Sequence, residues 1–369
     1  MGIQRLSIRN FLEQSANHLL LDVRSPSEFN HAHIPGAYSF PLFTDEERKV
    51  VGTTYKQQGR QQAIKTGLDY FSPKMKRMVE EIETKIDEGK ETADEGSRQR
   101  SGTVFIYCWR GGMRSAAIAW LLNLYGFRVF VLTGGYKTFR NEVLHTFQEP
   151  YFFRILGGYT GSGKTEVLQQ LEKNGEQIID LETIACHRGS AFGSFNMPPQ
   201  PTQEMFENLL AKQLRGKAIS NPDGEPVSSN SIPHSVIWLE DESQRIGNLN
   251  IPNGIWQQMR QSSIIFLEIP FNQRLEYIVN LYGLCDKEKL LEAVHRIAKR
   301  LGPLETRNTI EFLQQDNKKE AFAILLHYYD KLYLKALHNR QNLPDLLTRV
   351  GCQTVNEQNA NLISKHHSV

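Results

Sequence analysis

The sequence predicts an α/β protein of two domains, and three observations carry that expectation. Two apolar runs, 103–107 and 151–157, each pass through a glycine-containing loop into a helical pattern, at 116–124 and 166–173. Strand, tight loop and helix in that order is the building unit of open, mostly parallel sheets. Further apolar runs at 19–24, 128–132, 177–182, 235–240 and 264–269 alternate with helical stretches. Finally, 369 residues are more than one hydrophobic core usually serves. The expected division is 1–140 and 141–355, the second part ending in a helical region, with 356–369 as a disordered tail.

Composition narrows the class. The chain is 40% hydrophobic and 23% charged, ordinary for a globular protein. A net charge of +2 neither demands nor excludes nucleic acid, so any basic surface has to be local. The four cysteines, Cys108, Cys186, Cys285 and Cys352, are far apart and form no Cys-x-x-Cys pair. That argues against a disulfide scaffold or zinc ribbon and fits a reducing compartment. The first residues lack the apolar core of a signal peptide, and no apolar run approaches bilayer-spanning length. A cytoplasmic protein without a membrane partner is expected.

In chain order, 7–18 reads as a short helix and Leu19–Arg24 as a compact strand. Ser25 and Pro26 open a second helix as N-cap and first-turn proline. His31 and His33 lack a third nearby ligand, so turn or hydrogen-bonding roles suit them better than a metal. Residues 44–75 are polar and basic, and longer than a plain connection needs. They suit either a segment that touches a substrate over the neighbouring loop, with Lys56 and Arg60 as candidates, or a solvated helix. The stretch 88–99 has no apolar periodicity and reads as a flexible loop.

The strand 103–107 then delivers Cys108 into Trp109-Arg110-Gly111-Gly112-Met113-Arg114-Ser115. Successive backbone N–H groups and a helix N-terminus converge on the cysteine there, which favours thiolate; Arg110 and Arg114 add positive charge. Cys-x5-Arg-Ser is the spacing of a cysteine phosphatase loop, with Arg114 clamping phosphate. It is also that of a sulfurtransferase loop whose cysteine carries a chalcogen atom. A buried structural cysteine is the plain alternative. The loop by itself leaves these open.

Upstream residues favour one of them. Leu21-Asp22-Val23-Arg24-Ser25-Pro26-Ser27-Glu28-Phe29 with His33-Ile34-Pro35-Gly36-Ala37 resembles the opening motif of a rhodanese domain. Residues 103–124 resemble its active-site loop, and Arg128 to Tyr136 its last strand and Gly-Gly turn. The resemblance implies an N-terminal rhodanese-like α/β domain with its chemistry at the carboxyl end of a strand.

The second domain opens with a strand at 151–157. Gly158-Tyr159-Thr160-Gly161-Ser162-Gly163-Lys164-Thr165 follows, and then a helix. This is G-x-x-x-x-G-K-[ST] in its required context, a P-loop as in P-loop NTPase-like domains. Backbone N–H groups of Gly158, Gly161, Ser162 and Gly163 would cradle phosphate oxygens. Lys164 would reach a terminal phosphate, and Thr165 could hold Mg²⁺. Metal-ordering acids are sought at strand ends, where Asp180, Glu240 and Asp241 are the candidates. His187 and Arg188, in a Cys-His-Arg-Gly-Ser run, suit phosphate or RNA; a Cys186–His187 dyad is disfavoured if both lie on a strand. Residues 200–215 read as helix, 220–231 as loop, and the chain beyond about 272 as mainly helical with scattered basic positions. Arg274 bears a likeness to the arginine-bearing helix of P-loop kinases.

The combination is more informative than its parts. The Cys108 loop, Val51-Gly52-Thr53-Thr54-Tyr55-Lys56, the P-loop and His187-Arg188-Gly189-Ser190-Ala191-Phe192-Gly193 together resemble the tRNA 2-selenouridine synthase family over nearly the whole chain. That resemblance implies a transferase that replaces the sulfur of wobble 2-thiouridine in tRNA with selenium from selenophosphate. It also implies S-geranylation of that sulfur from geranyl diphosphate, with Cys108 carrying selenium as a perselenide or related adduct. No tightly bound cofactor is implied. A sulfurtransferase or Cys-x5-Arg phosphatase fused to a nucleotide-binding domain, and a P-loop RNA-binding regulator, are the alternatives.

Overall fold

In a computed structural model, residues 2–91, 102–218 and 236–365 are described. They form two units, Met1–His145 and Thr146–Val369. The division falls at 145/146 rather than 140/141 because the helix that follows the Gly-Gly turn continues to Thr146.

The first unit contains β1 (Gln4–Leu6), α1 (Ile8–Ser15), β2 (Leu19–Asp22), α2 (Pro26–His31), β3 (Tyr38–Ser39), α3 (Asp45–Gln58), α4 (Arg60–Phe71), α5 (Met75–Glu91), β4 (Thr103–Tyr107), α6 (Met113–Tyr125), β5 (Arg128–Leu132) and α7 (Gly135–Thr146). The strands make one parallel sheet in the order β1-β5-β4-β2-β3. All five residues of β4 are buried, and a strand covered on both faces reads as an unbroken apolar run. Ile118 and Leu122 of α6 are fully buried against this sheet with Val104 and Ile106. Each contributes roughly 2 kcal/mol of transfer free energy. Asp22 pairs with Tyr107 across β2 and β4, so both strands end at the edge where Cys108 emerges.

The polar insertion is two helices packed on each other, α3 and α4. Thr44 caps α3: its Oγ1 accepts from the Glu47 N–H at 3.2 Å, and the Glu47 carboxylate accepts from the Thr44 N–H at 2.9 Å. Gly59, at φ +86°, breaks the helix into two. The loop expected at 88–99 differs at its start, because α5 continues to Glu91; the remainder lies outside the described residues.

The second unit runs β6 (Phe153–Gly158), α8 (Lys164–Lys173), β7 (Gln177–Ile179), α9 (Leu181–Ala185), α10 (Gln203–Ala218), β8 (Ile237–Glu240), β9 (Arg245–Ile246), β10 (Leu249–Asn250), α11 (Asn253–Gln261), β11 (Ser263–Glu268), α12 (Phe271–Tyr282), α13 (Lys287–Leu301), α14 (Pro303–Gln314), α15 (Lys318–His338), α16 (Leu343–Leu346), β12 (Leu347–Gly351) and α17 (Asn359–Lys365). Its parallel sheet is ordered β12-β11-β6-β8-β7, with β6 in the middle; β9 and β10 form a separate antiparallel pair.

The chain beyond 272 is mainly helical, as expected, and β12 returns to the sheet beside β11. Two expectations are corrected here. The segment expected to be a disordered tail contains α17, whose Ala360 and Ile363 are fully buried with Leu168 and Leu171 of α8. The strand expected over 177–182 stops at Ile179. Asp180 then caps α9, its carboxylate accepting from the Thr183 N–H at 2.7 Å. The loop expected at 220–231 lies outside the described residues.

Candidate functional site

Cys108 closes β4 and is 3% exposed. Its Sγ accepts from the Gly112 N–H at 3.2 Å and lies 3.2 Å from Ser115 Oγ. The loop is held from below: the Tyr136 and Lys137 N–H groups donate to the Cys108 and Trp109 carbonyls at 2.8 and 3.0 Å. Gly135, at φ +62°, allows this approach, because a Cβ there would overlap the Cys108 carbonyl oxygen. Arg5 of β1 adds a contact that the sequence did not suggest, donating to Gly111 O at 3.5 Å. The sulfur thus sits at a helix N-terminus with one backbone N–H aimed at it, while the neighbouring Ser115 hydroxyl donates to Gly112 O at 3.0 Å.

The arginines divide. Arg110 is exposed and makes no hydrogen bond or ion pair with the described residues. Arg114 is turned to Glu28 of α2, donating from Nη1 at 2.6 Å and from Nη2 at 3.4 Å. Arg48 of α3 approaches the same carboxylate at 3.0 Å. Burial raises the Glu28 carboxyl, but Arg114 outweighs it and holds it down at about 2. Arg114 is therefore a committed ion-pair partner and not a free phosphate clamp, which weighs against a phosphatase loop. Deeper down, Arg24 pairs bidentately with Asp22, donates to Ala32 O at 2.6 Å and sits 3.9 Å above the Tyr136 ring. Asp22 and Arg24 are buried and serve as scaffold for the loop. His33 stacks on Phe29 and hydrogen-bonds its carbonyl at 3.0 Å.

Lys56 and Arg60 are exposed at the end of α3 and the start of α4. No hydrogen bond or ion pair joins them to the Cys108 loop among the described residues.

The second unit holds a cavity of about 1640 Å³. The P-loop from Thr160 to Thr165 forms one wall, and His187 and Arg188 lie on it as well. Gly161 and Gly163 adopt φ of +79° and +67°, the left-handed conformations that turn backbone N–H groups inward. Lys164 Nζ donates to Gly158 O at 3.2 Å. Buried Arg274 braces the loop from beneath, donating to Thr160 O at 3.0 Å while pairing bidentately with Asp330 at 2.9 and 2.8 Å. Tyr333 accepts from the Gly158 N–H at 3.2 Å and donates to Asp241, which also pairs with Arg340.

The acids redistribute. Asp180 is occupied as a cap, Glu240 is buried and accepts from the Leu181 N–H at 3.1 Å, and Asp241 is held by Arg340. The carboxylate facing Thr165 is Glu182, with Oε2 accepting from Thr165 Oγ1 at 3.3 Å. Burial raises Glu182, against the pull of Lys164. Burial, followed by Glu182, pushes Glu242 up to about 8, and burial and neighbouring carboxylates raise Glu240 as well. Carboxylates stand beside this P-loop, and that of Glu242 favours the protonated form at neutral pH. Among the described residues no group of three His, Cys, Asp or Glu side chains is placed to hold a metal by itself.

Cys186 follows α9 at φ +50°, so it and His187 lie in a turn and not on a strand. Burial and Arg296 lower the His187 imidazole, and its Nδ1 is buried without a partner. Arg188 hydrogen-bonds Tyr282. Apolar and aromatic side chains line the same cavity, among them Ile278, which packs against Gly161 of the P-loop, and Leu281, Phe322, Leu325, Leu326 and Leu332.

An open parallel sheet with a cysteine loop after its β4 strand, and a second sheet built on a P-loop, define a rhodanese-like unit joined to a P-loop unit. A model of the rhodanese-like domain matches residues 7–142, and a model of the tRNA 2-selenouridine synthase AAA domain matches 152–361. The tRNA 2-selenouridine synthase of Nitrosomonas eutropha is 32% identical over 89% of this chain and 91% of its own length. Those of Pseudomonas putida and Shewanella frigidimarina are 34% and 32% identical, over 85% and 88% of this chain. The chain belongs to the tRNA 2-selenouridine synthase family. Among the described residues no helix is long and apolar enough to cross a membrane.

Proposed function

We propose that the chain is a tRNA-modifying transferase that exchanges the sulfur of wobble 2-thiouridine for selenium, by way of S-geranyl-2-thiouridine. One observation carries the geranyl step: a single cavity joins a P-loop to an apolar wall. A prenyl diphosphate has those two halves. Its diphosphate fits the N–H groups of residues 161–165 and Lys164, and its hydrocarbon fits the leucine-rich side. At about 1640 Å³ the cavity exceeds what a ten-carbon diphosphate needs and leaves room for a nucleotide.

In the first step sulfur bonds to the geranyl carbon, the carbon–oxygen bond to diphosphate breaks, and the uracil N3 proton leaves. The P-loop stabilises the departing diphosphate, so the motif serves without hydrolysis of a nucleotide. Thr165 and Glu182 supply oxygen donors of the kind Mg²⁺ prefers, shared with diphosphate oxygens, and the ion would add charge stabilisation there. In the second step the selenium of selenophosphate bonds to C2 and the C2–sulfur bond breaks, geranyl thiolate leaving and taking a proton. Water then cleaves the selenium–phosphorus bond, releasing phosphate and leaving 2-selenouridine. Selenium in selenophosphate is already at the selenide level, so this displacement needs no oxidant; a perselenide on Cys108 would need one. The backbone N–H groups of the Cys108 loop accordingly hold the selenium donor as an anion, with the Cys108 thiol as a further donor to it. Arg110, exposed and uncommitted, is the cation nearest in sequence to receive its phosphate.

Geranyl transfer by the folded Lys164→Ala protein tests the reading. A loss of 10²-fold or more in transfer from geranyl diphosphate to 2-thiouridine tRNA, read by nucleoside mass spectrometry, is expected. Undiminished transfer sinks the assignment of the P-loop.

A further inference from the structure

One polar stretch of the first unit carries cations and no acid. Between Arg48 and Leu68 there are five cations, Arg48, Lys49, Lys56, Arg60 and Lys65, and no acid. Without them the chain has 38 cations against 41 acids, so the net +2 of the whole becomes −3. Arg48 is committed to Glu28. The other four are exposed and make no hydrogen bond or ion pair with the described residues. Lys49 and Lys56 are two turns apart on one face of α3, about 10 Å along its axis. Arg60 opens α4 immediately after the Gly59 break, and Lys65 follows one turn later. Tyr55, beside Lys56, leaves half its ring surface in solvent. Glutamines at 57, 58, 61 and 62 fill the junction with neutral donors and acceptors, all exposed.

We infer that the α3–α4 hairpin is a docking surface for the phosphate backbone of the RNA substrate, with Tyr55 stacking on an unpaired base. This rests on the reading above that the substrate is a tRNA. Free cations without interspersed acids are the electrostatic footprint of backbone binding, and an exposed aromatic among them adds a platform for a splayed base. A helix whose exposure is merely solvation ordinarily interleaves both signs of charge, as α13 does with Glu288 and Glu292 among its lysines and arginines. The acids of α3 and α4 instead lie at the far ends of the pair, Asp45, Glu46 and Glu47 in the first turn of α3 and Asp69 in the last turn of α4. The role is in binding: these residues hold RNA for the chemistry and do not take part in it.

The test measures equilibrium binding of the full-length protein to a transcribed tRNA by fluorescence anisotropy, between 50 and 200 mM salt. Three proteins are compared: the parent; K49Q/K56Q/R60Q/K65Q; and a control with four exposed cations neutralised elsewhere, K289Q/K299Q/R307Q/K319Q. The hairpin variant should bind 10- to 100-fold more weakly near 0.1 M salt. Its plot of log K against log salt should be shallower by about 3, since each lost contact to a flexible strand removes about 0.7 from the slope. The control should stay within about threefold of the parent. Tyr55→Ala should lose roughly tenfold with the slope unchanged, and Tyr55→Phe should restore it. Equal binding by the hairpin variant and the parent overturns the inference, and so does an equal loss in the control. If the parent binds and converts tRNA while the hairpin variant binds as tightly, only this inference falls. If the parent binds no tRNA, the reading it rests on falls with it.

Discussion

Single residues around the P-loop divide into bracing and titrating groups. Arg274, Tyr333, Asp241 and Arg340 are fixed by ion pairs and backbone hydrogen bonds, whereas Glu242 is a strained acid. Burial, with Glu182 beside it, raises it from 4.5 to about 8. Below pH 4.5 both folded and unfolded chains carry its proton, so it has no effect on stability. From pH 4.5 to 8 the unfolded chain releases the proton and the folded one keeps it, so stability declines as pH rises. A Glu242→Gln variant has no such group. Its melting temperature should be close to that of the parent at pH 4.5 and exceed it at pH 8.5, by about 2–4 °C for each kcal/mol of this linkage. Calorimetry at the two values reads this, and an unchanged gap would refute it. Glu182 illustrates what the sequence concealed. Reading 177–182 as a strand left Asp180 as the acid at its end. Asp180-Leu181-Glu182-Thr183 is instead a cap followed by the first turn of a helix, and the turn carries Glu182 round to Thr165. The capping preference of aspartate was the signal available.

At the scale of elements, legibility followed burial. β4, α6, β6 and α8 were plain because both flanks of each strand are covered and glycines punctuate the loops. The elements that escaped are edge strands. β1 is three residues long, and β12 alternates poorly, with Thr348 and Arg349 exposed beside Val350. Short edge strands have no apolar run to show. α17 escaped because two buried residues, Ala360 and Ile363, make a weak periodicity by themselves. The Gly-Gly turn yields a sharper expectation. Gly135→Ala sets a methyl group against the Cys108 carbonyl and Gly111 N. It should shift the loop by a few tenths of an ångström or more and cost about 1–3 kcal/mol. Selenium incorporation should drop at least tenfold with geranyl transfer retained; equal retention of both would show that the loop tolerates the shift.

For the whole molecule, the two motifs that the sequence displayed most openly sit in separate units, and their reactions should separate as well. Cys108→Ala should accumulate S-geranyl-2-thiouridine tRNA and fail to selenate it. Lys164→Ala should fail on 2-thiouridine tRNA yet selenate tRNA that has been geranylated beforehand. Mass spectrometry of nucleosides from the two incubations distinguishes the outcomes. Loss of both steps in either folded variant would refute the division of labour.

The return of the chain to β12 after four long helices has a consequence in time. The first sheet is complete once β5 has been made at Leu132, whereas the P-loop sheet lacks its edge strand until Gly351. At about 5–20 residues per second, translation separates these points by roughly 10–40 s. For the last part of that interval, from Glu268 to Gly351 and roughly 4–17 s long, β11 has an open edge. The nascent phosphate site is thus the part of this protein most exposed to misassembly, and the cysteine unit can be folded before it is complete.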